Sequence, residues 1–414
     1  MSDVFADVGQ PAAAKPLSPK RPPTETAGFA DVFPYYAGFS FDWAQEQIRK
    51  ATVESDVVLD PWNGSGTTTL AAQYAARKSV GIDLNPVANL VARFRSLAAA
   101  TSQCEILKSP FMLTGRGAAT DPLDAWFSAT TSNRIRDWFE AMDGISTPQT
   151  ALVAITLFRV VRELTKSFEG SNPTWVKRAR SEEERIEVSP DELDKIILFE
   201  QGKLIERLAD APSIDMQPKL LTATANDIPM RNSSVDLVIT SPPYLTRIDY
   251  AVAYARELAV LGVDLSKDRT LRSQLMGTTL IRSGPNVSEK RLGPTAKALL
   301  SSISGHTSKA SSGYYLKQAQ QYLYDLSCGL TEISRVVKPS GRLLLVVQDS
   351  YYKDIHVALG DICIDELTSR GWQLEHRKPF PVKRILTSLN SSARAYQKGT
   401  VCENVMTFVK QAES

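Results

Sequence analysis

A doubly wound α/β fold with a mostly parallel sheet, broken by a helical insertion, is what this sequence predicts. Three observations lead there. Short apolar runs rich in β-branched residues alternate with stretches of helical period, first near residues 57–96 and again from 219 onward. The strands end abruptly, at acids (Asp60, Asp83) or at a proline pair (Pro242, Pro243). A stiff, polar carboxyl edge of this kind is where α/β sheets hold ligands. Between the two blocks, residues 101–215 change character and read as helices separated by Pro and Gly clusters.

The elements follow in order. "VVLD" (57–60) is a strand that meets "PWNGSGTTT", after which "LAAQYAAR" has good helix formers. "SVGID" (79–83) is a second strand, and "NPVANLVARFRS" opens a helix with Asn85 as cap and Pro86 in its first turn. The insertion holds the helical stretches "NRIRDWFEAM", "PQTALVAITLFRVVREL" and "SPDELDKIILFEQGKLIERLAD". "KLLTATA" (219–225) and "VDLVIT" (235–240) return to strand. "QAQQYLYDLSCGLTEISRVV" is a long helix stopped by "KPSG", "RLLLVV" (342–347) a buried strand, and "HVALGDICIDELTSR" a helix. "WQLEHRK" and "VCENVMTFVK" close the sheet as a pair. This organisation gives a disordered Pro-rich tail over 1–30, a ligand-binding half over 31–100, the insertion over 101–215, and a functional strand and loop over 216–260. A basic Ser/Gly-rich segment over 261–317 and the last part of the sheet over 318–414 complete it.

Composition narrows the class. The chain has 414 residues, 43% hydrophobic and 23% charged, as in an ordinary globular protein. No apolar run reaches the roughly eighteen residues of a membrane span, and the amino terminus has no signal-peptide core, so a cytoplasmic protein without a membrane partner is expected. Cys104, Cys328, Cys363 and Cys402 are far apart, and His306, His356 and His376 make no ligand pattern with them, so neither a disulfide framework nor a metal site is expected. Net charge is only +2, so nucleic-acid binding would need a local basic surface. Residues 264–317 supply one, with nine basic side chains against three acidic. "KRILTSLNSSARAYQKG" (383–399) is a second candidate.

Two loops carry the chemistry. "DPWNGSGTT" (60–68) sets Gly64 and Gly66 between a strand and a helix, where backbone can approach a ligand. It has no G-K-[ST], so it is not a P-loop, and no G-x-G-x-x-G. Asp83 lies about twenty residues on, where a carboxylate can accept from ribose hydroxyls. "TSPPY" (240–244) ends a strand with a hydroxyl, carbonyls without competing N–H groups and a flat ring, a set suited to a planar polar molecule.

With both loops present, the chain resembles the S-adenosylmethionine-dependent amino-methyltransferases of DNA. "DPWNGSGTT" is similar to their cofactor loop and "TSPPY" to their catalytic loop, in the variant often associated with N4-cytosine methylation. "FPYYAGFSFDWAQEQI" (33–48) is similar to their amino-terminal cofactor segment, and the resemblance covers about 31–95 and 217–410. The cofactor loop precedes the catalytic loop, whereas many "TSPPY" enzymes have the reverse order. The resemblance implies a seven-stranded Rossmann-like sheet with S-adenosylmethionine as cofactor. Gly64, Ser65, Gly66 and Thr67 would pass under its methionine part beside Asp60. Asp83 would hold the ribose, Asp227 the adenine amino group, and Tyr36 and Ser40 the methionine end.

It further implies that Ser241 and the Pro242 carbonyl accept from the amino group of a flipped base, with Pro243 stiffening the turn and Tyr244 stacking on the ring. Arg247, Arg282, Lys290, Arg291, Arg384 and Arg394 are the candidate DNA contacts. N4-cytosine methylation is the reading taken. N6-adenine methylation is its nearest alternative, and an RNA guanine-N2 methyltransferase or a non-catalytic cofactor-binding subunit stands behind it. Carbon-5 chemistry needs a Pro-Cys nucleophile, and no Pro-Cys dipeptide occurs. The recognition sequence, a cognate restriction endonuclease or defence-system partner, the oligomeric state and the role of the insertion stay open.

Overall fold

The computed structural model describes residues 17–22, 26–35, 38–97, 104–110, 120–142, 147–170, 175–209, 211, 214, 216–245, 248–282, 292–308, 310–382 and 400–412. Nine strands are found among them: β1 (Val57–Asp60), β2 (Lys78–Asp83), β3 (Lys219–Thr222), β4 (Val235–Thr240), β5 (Val337–Gln348), β6 (Ser350–Tyr352), β7 (Ile355–Val357), β8 (Trp372–Pro381) and β9 (Cys402–Lys410). The helices are α1 (Phe41–Ala51), α2 (Thr67–Tyr74), α3 (Pro86–Ser96), α4 (Ala129–Glu140), α5 (Thr147–Leu164), α6 (Pro190–Ala209), α7 (Tyr250–Ala253), α8 (Ala255–Val260), α9 (Thr270–Gln274), α10 (Pro294–Gly305), α11 (Leu316–Val336) and α12 (Leu359–Thr368).

Seven strands form one sheet in the order β3-β2-β1-β4-β5-β9-β8, as expected for a doubly wound fold. β3, β2, β1, β4 and β5 are parallel, and β9 and β8 close the edge antiparallel. The chain runs outward from β1 through β2 to β3 and then returns to β4, so β1 and β4 lie side by side at the point where strand order reverses. Ligands of such sheets bind beyond the strand ends at that switch.

The period-2 alternation of the central strands assigns their two faces. Val58, Leu237, Ile239, Leu344 and Val346 pack with α1 and α2 residues such as Trp43, Ile48 and Leu70. Leu59, Val238, Leu343, Leu345 and Val347 pack with Leu300, Leu326, Leu330 and Ile362 of α10, α11 and α12 on the other side. Burial on both faces explains why these strands read as continuous apolar runs. α5 is apolar on nearly every side and buried from Ala151 to Phe158. It anchors the insertion, because α4, α5 and α6 share a core with Val91 and Phe94 of α3 and Leu258 of α8.

Residues 17–22 and 26–30 of the expected tail are among those described, and the rest of it lies outside them. The Ser40 N–H donates to the Pro19 carbonyl at 2.8 Å, Lys20 bridges Phe39, and Phe29 is buried. A Pro-rich stretch still finds backbone partners when an aromatic beside it has a core to enter. Among the described residues, no helix is long and apolar enough to cross a membrane.

Candidate active site

Asp60 ends β1 inside the protein, 3% exposed. Its Oδ2 accepts from Thr68 Oγ1 at 2.6 Å, and its Oδ1 from Thr240 Oγ1 at 2.6 Å and from the Trp62 N–H at 3.1 Å. One carboxylate thus ties together the glycine loop, the start of α2 and the end of β4. Burial raises its pKa to about 6, and the three donors hold it from going higher. Asp83, at the end of β2, accepts from the Gly64 N–H at 2.9 Å and the Asn85 N–H at 2.8 Å, and burial raises it likewise to about 6.

The loop between β1 and α2 needs its glycines. Gly64 has φ 51°, and a Cβ there would lie 2.9 Å from Cε1 of Tyr35. Gly66 has φ 82°, and its Cβ would meet Ala92 Cβ of α3 at 2.6 Å. Arg95, 2% exposed, braces the loop from α3. Its Nη1 donates to the Ser65 carbonyl at 2.7 Å, Ser65 Oγ at 2.9 Å and Thr67 Oγ1 at 3.2 Å. The loop therefore rests on a buried cation, which favours an anionic group above it.

The corner after β4 is stiff for reasons beyond its prolines. Ser241 Oγ lies 3.1 Å from the Tyr244 hydroxyl, and Tyr322 of α11 donates its hydroxyl to the Pro243 carbonyl at 2.9 Å. Burial pushes the Tyr322 phenol well above its ordinary pKa, so it stays a donor. The facing wall comes from the segment after α9. Asp249 caps α7 through the Val252 N–H and also accepts from Arg272 Nε, the Thr279 N–H and Thr279 Oγ1. This hub holds Gln274, Leu275 and Met276 against the cavity.

One cavity is lined by both loops: Asp60, Gly64, Ser65, Thr67 and Asp83 on one side, Ser241, Pro242, Pro243 and Tyr244 on the other. Gly66 supports it from behind. Several expected residues lie elsewhere. Ser40 is at the start of α1 and does not line the cavity, although Gly38 and Phe39 do. Asp227 is exposed and off the lining, because the turn after β3 directs its neighbour Asn226 inward instead. Arg282 is in an ion pair with Asp325, which is 1% exposed, so its guanidinium completes the fold beside Asn226. Tyr36, Arg247, Lys290, Arg291, Arg384 and Arg394 lie outside the described residues.

Sequence reasoning missed Tyr35, which lines the cavity, stacks on Tyr254 at 4.9 Å and packs directly against Gly64. "FPYY" signalled an aromatic there but not which ring turns inward. It also missed Asn226, Arg95 and Tyr322. None carries a local motif, and each acquires its place from helix or strand packing.

A sequence profile of the DNA methylase family, covering its N6 and N4 types, matches residues 16–92. Curated relatives are the Type II methyltransferase M.BsoBI of Geobacillus stearothermophilus and the Type II methyltransferase M.AvaI of Nostoc. M.BsoBI is 27% identical, over 59% of this chain and 55% of its own length. M.AvaI is 25% identical, over 83% of this chain and 79% of its own. The chain is thus similar to DNA amino-methyltransferases. It spans about half the length of M.BsoBI. Among solved structures, a SAM-dependent methyltransferase of Methanosarcina mazei aligns over 89% of this chain and 98% of its own, with a TM-score of 0.34 and 10% identity. Geranyl diphosphate methyltransferase in complex with SAM aligns over 90% of this chain and 86% of its own, with a TM-score of 0.34 and 8% identity.

S-adenosylmethionine is the cofactor that the likeness to DNA methylases supports, and the cavity fits it. Asp83 keeps carboxylate lone pairs for ribose hydroxyls beyond its two backbone donors. The cavity-lining Asn63 and Asn85 are nearly fully buried, and the amide nitrogen of each has no partner among the described residues.

Proposed function

We propose that the protein methylates the exocyclic amino group of a base flipped out of DNA, with cytosine N4 as the target. The observation that carries this reading is the single cavity shared by the glycine loop and the Ser241–Tyr244 corner. The cofactor supplies an electrophilic methyl group. The protein supplies acceptors and position. An exocyclic amino group is a weak nucleophile because its lone pair is delocalised into the ring. Ser241 Oγ and the Pro242 carbonyl accept its two N–H bonds, draw the nitrogen toward tetrahedral geometry and stabilise the positive charge that develops on it. The Tyr322–Pro243 hydrogen bond keeps the turn from relaxing, so this stabilisation is preorganised. Tyr244 offers its ring as a stacking face, with its hydroxyl held by Ser241.

Cytosine is supported by the "TSPPY" form of the corner, and adenine N6 presents the same amino chemistry to the same acceptors. Incubation of unmodified DNA with the protein and S-adenosylmethionine, followed by nucleoside analysis, tests the proposal. N4-methylcytosine is the expected product. N6-methyladenine would keep the mechanism and change the base, and 5-methylcytosine or no product would contradict the proposal.

A further inference from the structure

A lysine on an unfavourable backbone sits at the tip of the hairpin that follows β5. β4 and β5 are parallel neighbours, so the β6–β7 hairpin that follows β5 leaves the same sheet edge as Ser241. Its tip is Lys353–Asp354, between the paired residues Tyr352 and Ile355. Lys353 has φ 55°, the left-handed region that two-residue hairpins usually fill with Gly, Asn or Asp.

The surroundings hold that charge in place. Lys353 Nζ is 5.4 Å from the centre of the Tyr352 ring and 5.9 Å from that of Tyr315, and the two rings are 4.9 Å apart. The tip is fixed by Asp354 Oδ1 on His306 Nε2 at 2.9 Å and by Ser311 Oγ on the Tyr352 hydroxyl at 2.6 Å. Among the described residues, no carboxylate forms an ion pair with Lys353. Tyr314, exposed and edge-on to Tyr315 at 5.1 Å, donates to the Thr279 carbonyl at 2.7 Å. Thr279 belongs to the segment, tethered by Asp249, that carries Leu275 and Met276 into the cavity wall. A continuous run of contacts therefore leads from the active cavity to the lysine.

We infer that Lys353, seated on Tyr315 and Tyr352, binds a backbone phosphate of the DNA strand whose base enters the cavity, with Tyr314 on the rim. A fixed cation with no ion-pair partner among the described residues, on a hairpin that leaves the same sheet edge as Ser241, is complementary to a phosphodiester. This rests on the proposed DNA methylation. The test measures binding of the full chain to mixed-sequence duplex DNA across a salt series, because phosphate contacts set the slope whatever the sequence. Lys353→Gly should reduce the log–log slope by about one. Its melting temperature should not fall, since glycine relieves the left-handed residue. Lys353→Arg should keep the slope. An unchanged slope in Lys353→Gly, or an equal loss in Lys353→Arg, overturns the inference. Absence of salt-dependent DNA binding by the unaltered protein overturns the methylation reading and this inference with it.

Discussion

Thr240 donates its hydroxyl to Asp60 at 2.6 Å, so the residue before Ser241 is fastened to the strand that launches the glycine loop. Neither residue need touch substrate for the bond to matter. It sets the spacing between the cofactor's seat and the base's acceptors. Thr240→Val keeps the shape and removes the donor. Unfolding by denaturant should show a loss of about 1–3 kcal/mol, the cost of under-satisfying a buried carboxylate. Single-turnover methyl transfer should slow even where cofactor affinity holds. A fully stable, fully active variant would show that the two loops keep their spacing without this bond.

The acids of the site predict how cofactor binding depends on pH. Burial raises Asp60 and Asp83 to about 6. For a raised carboxyl, folding stability is fullest below the ordinary carboxylate range and is lost as pH rises through about 6. Cofactor binding has the opposite sense, because hydroxyl donors on Asp83 and a sulfonium near Asp60 both favour the ionised forms. Affinity should climb as pH rises through about 6 and level off above it, with protons released on binding near pH 6. Calorimetry in buffers of different ionisation enthalpy measures that release. Proton uptake instead of release would contradict the placement of the cofactor.

Removing the acid itself gives a sharper contrast. Asp83→Ala should weaken S-adenosylmethionine by about 1–3 kcal/mol, leaving ribose hydroxyls unpaired and freeing the Gly64 N–H. Asn226→Ala should also weaken it, because Asn226 lines the cavity, whereas Asp227→Ala should leave affinity unchanged. Isothermal titration of folded variants decides among them. A loss confined to Asp227→Ala would restore that residue as the adenine contact.

Much of this architecture could be read from the sequence because it rests on local rules. β1, β2 and β4 announced themselves as apolar runs with β-branched residues, and Asn85–Pro86 marked the start of α3 by cap chemistry, with Asn85 Oδ1 accepting from the Val87 N–H at 3.0 Å. The corner at Pro242 and Pro243 and the turn at Gly64 were equally plain, since each residue type there has one physical use. What escaped depends on contacts far apart in the chain. Arg282 looked like a DNA contact until Asp325, forty-three residues away, turned out to hold it. The inward turn of Asn226 rather than Asp227 depends on α11, and Tyr35 gains its position from Tyr254.

The central claim is that Ser241 helps the target nitrogen become nucleophilic. Single-turnover transfer of labelled methyl to DNA, comparing the unaltered protein with Ser241→Ala, tests it most directly. The lost acceptor acts most strongly as positive charge develops, so the rate should fall on the order of 100-fold or more while cofactor and DNA affinities change little. The same rate in both proteins would contradict the account.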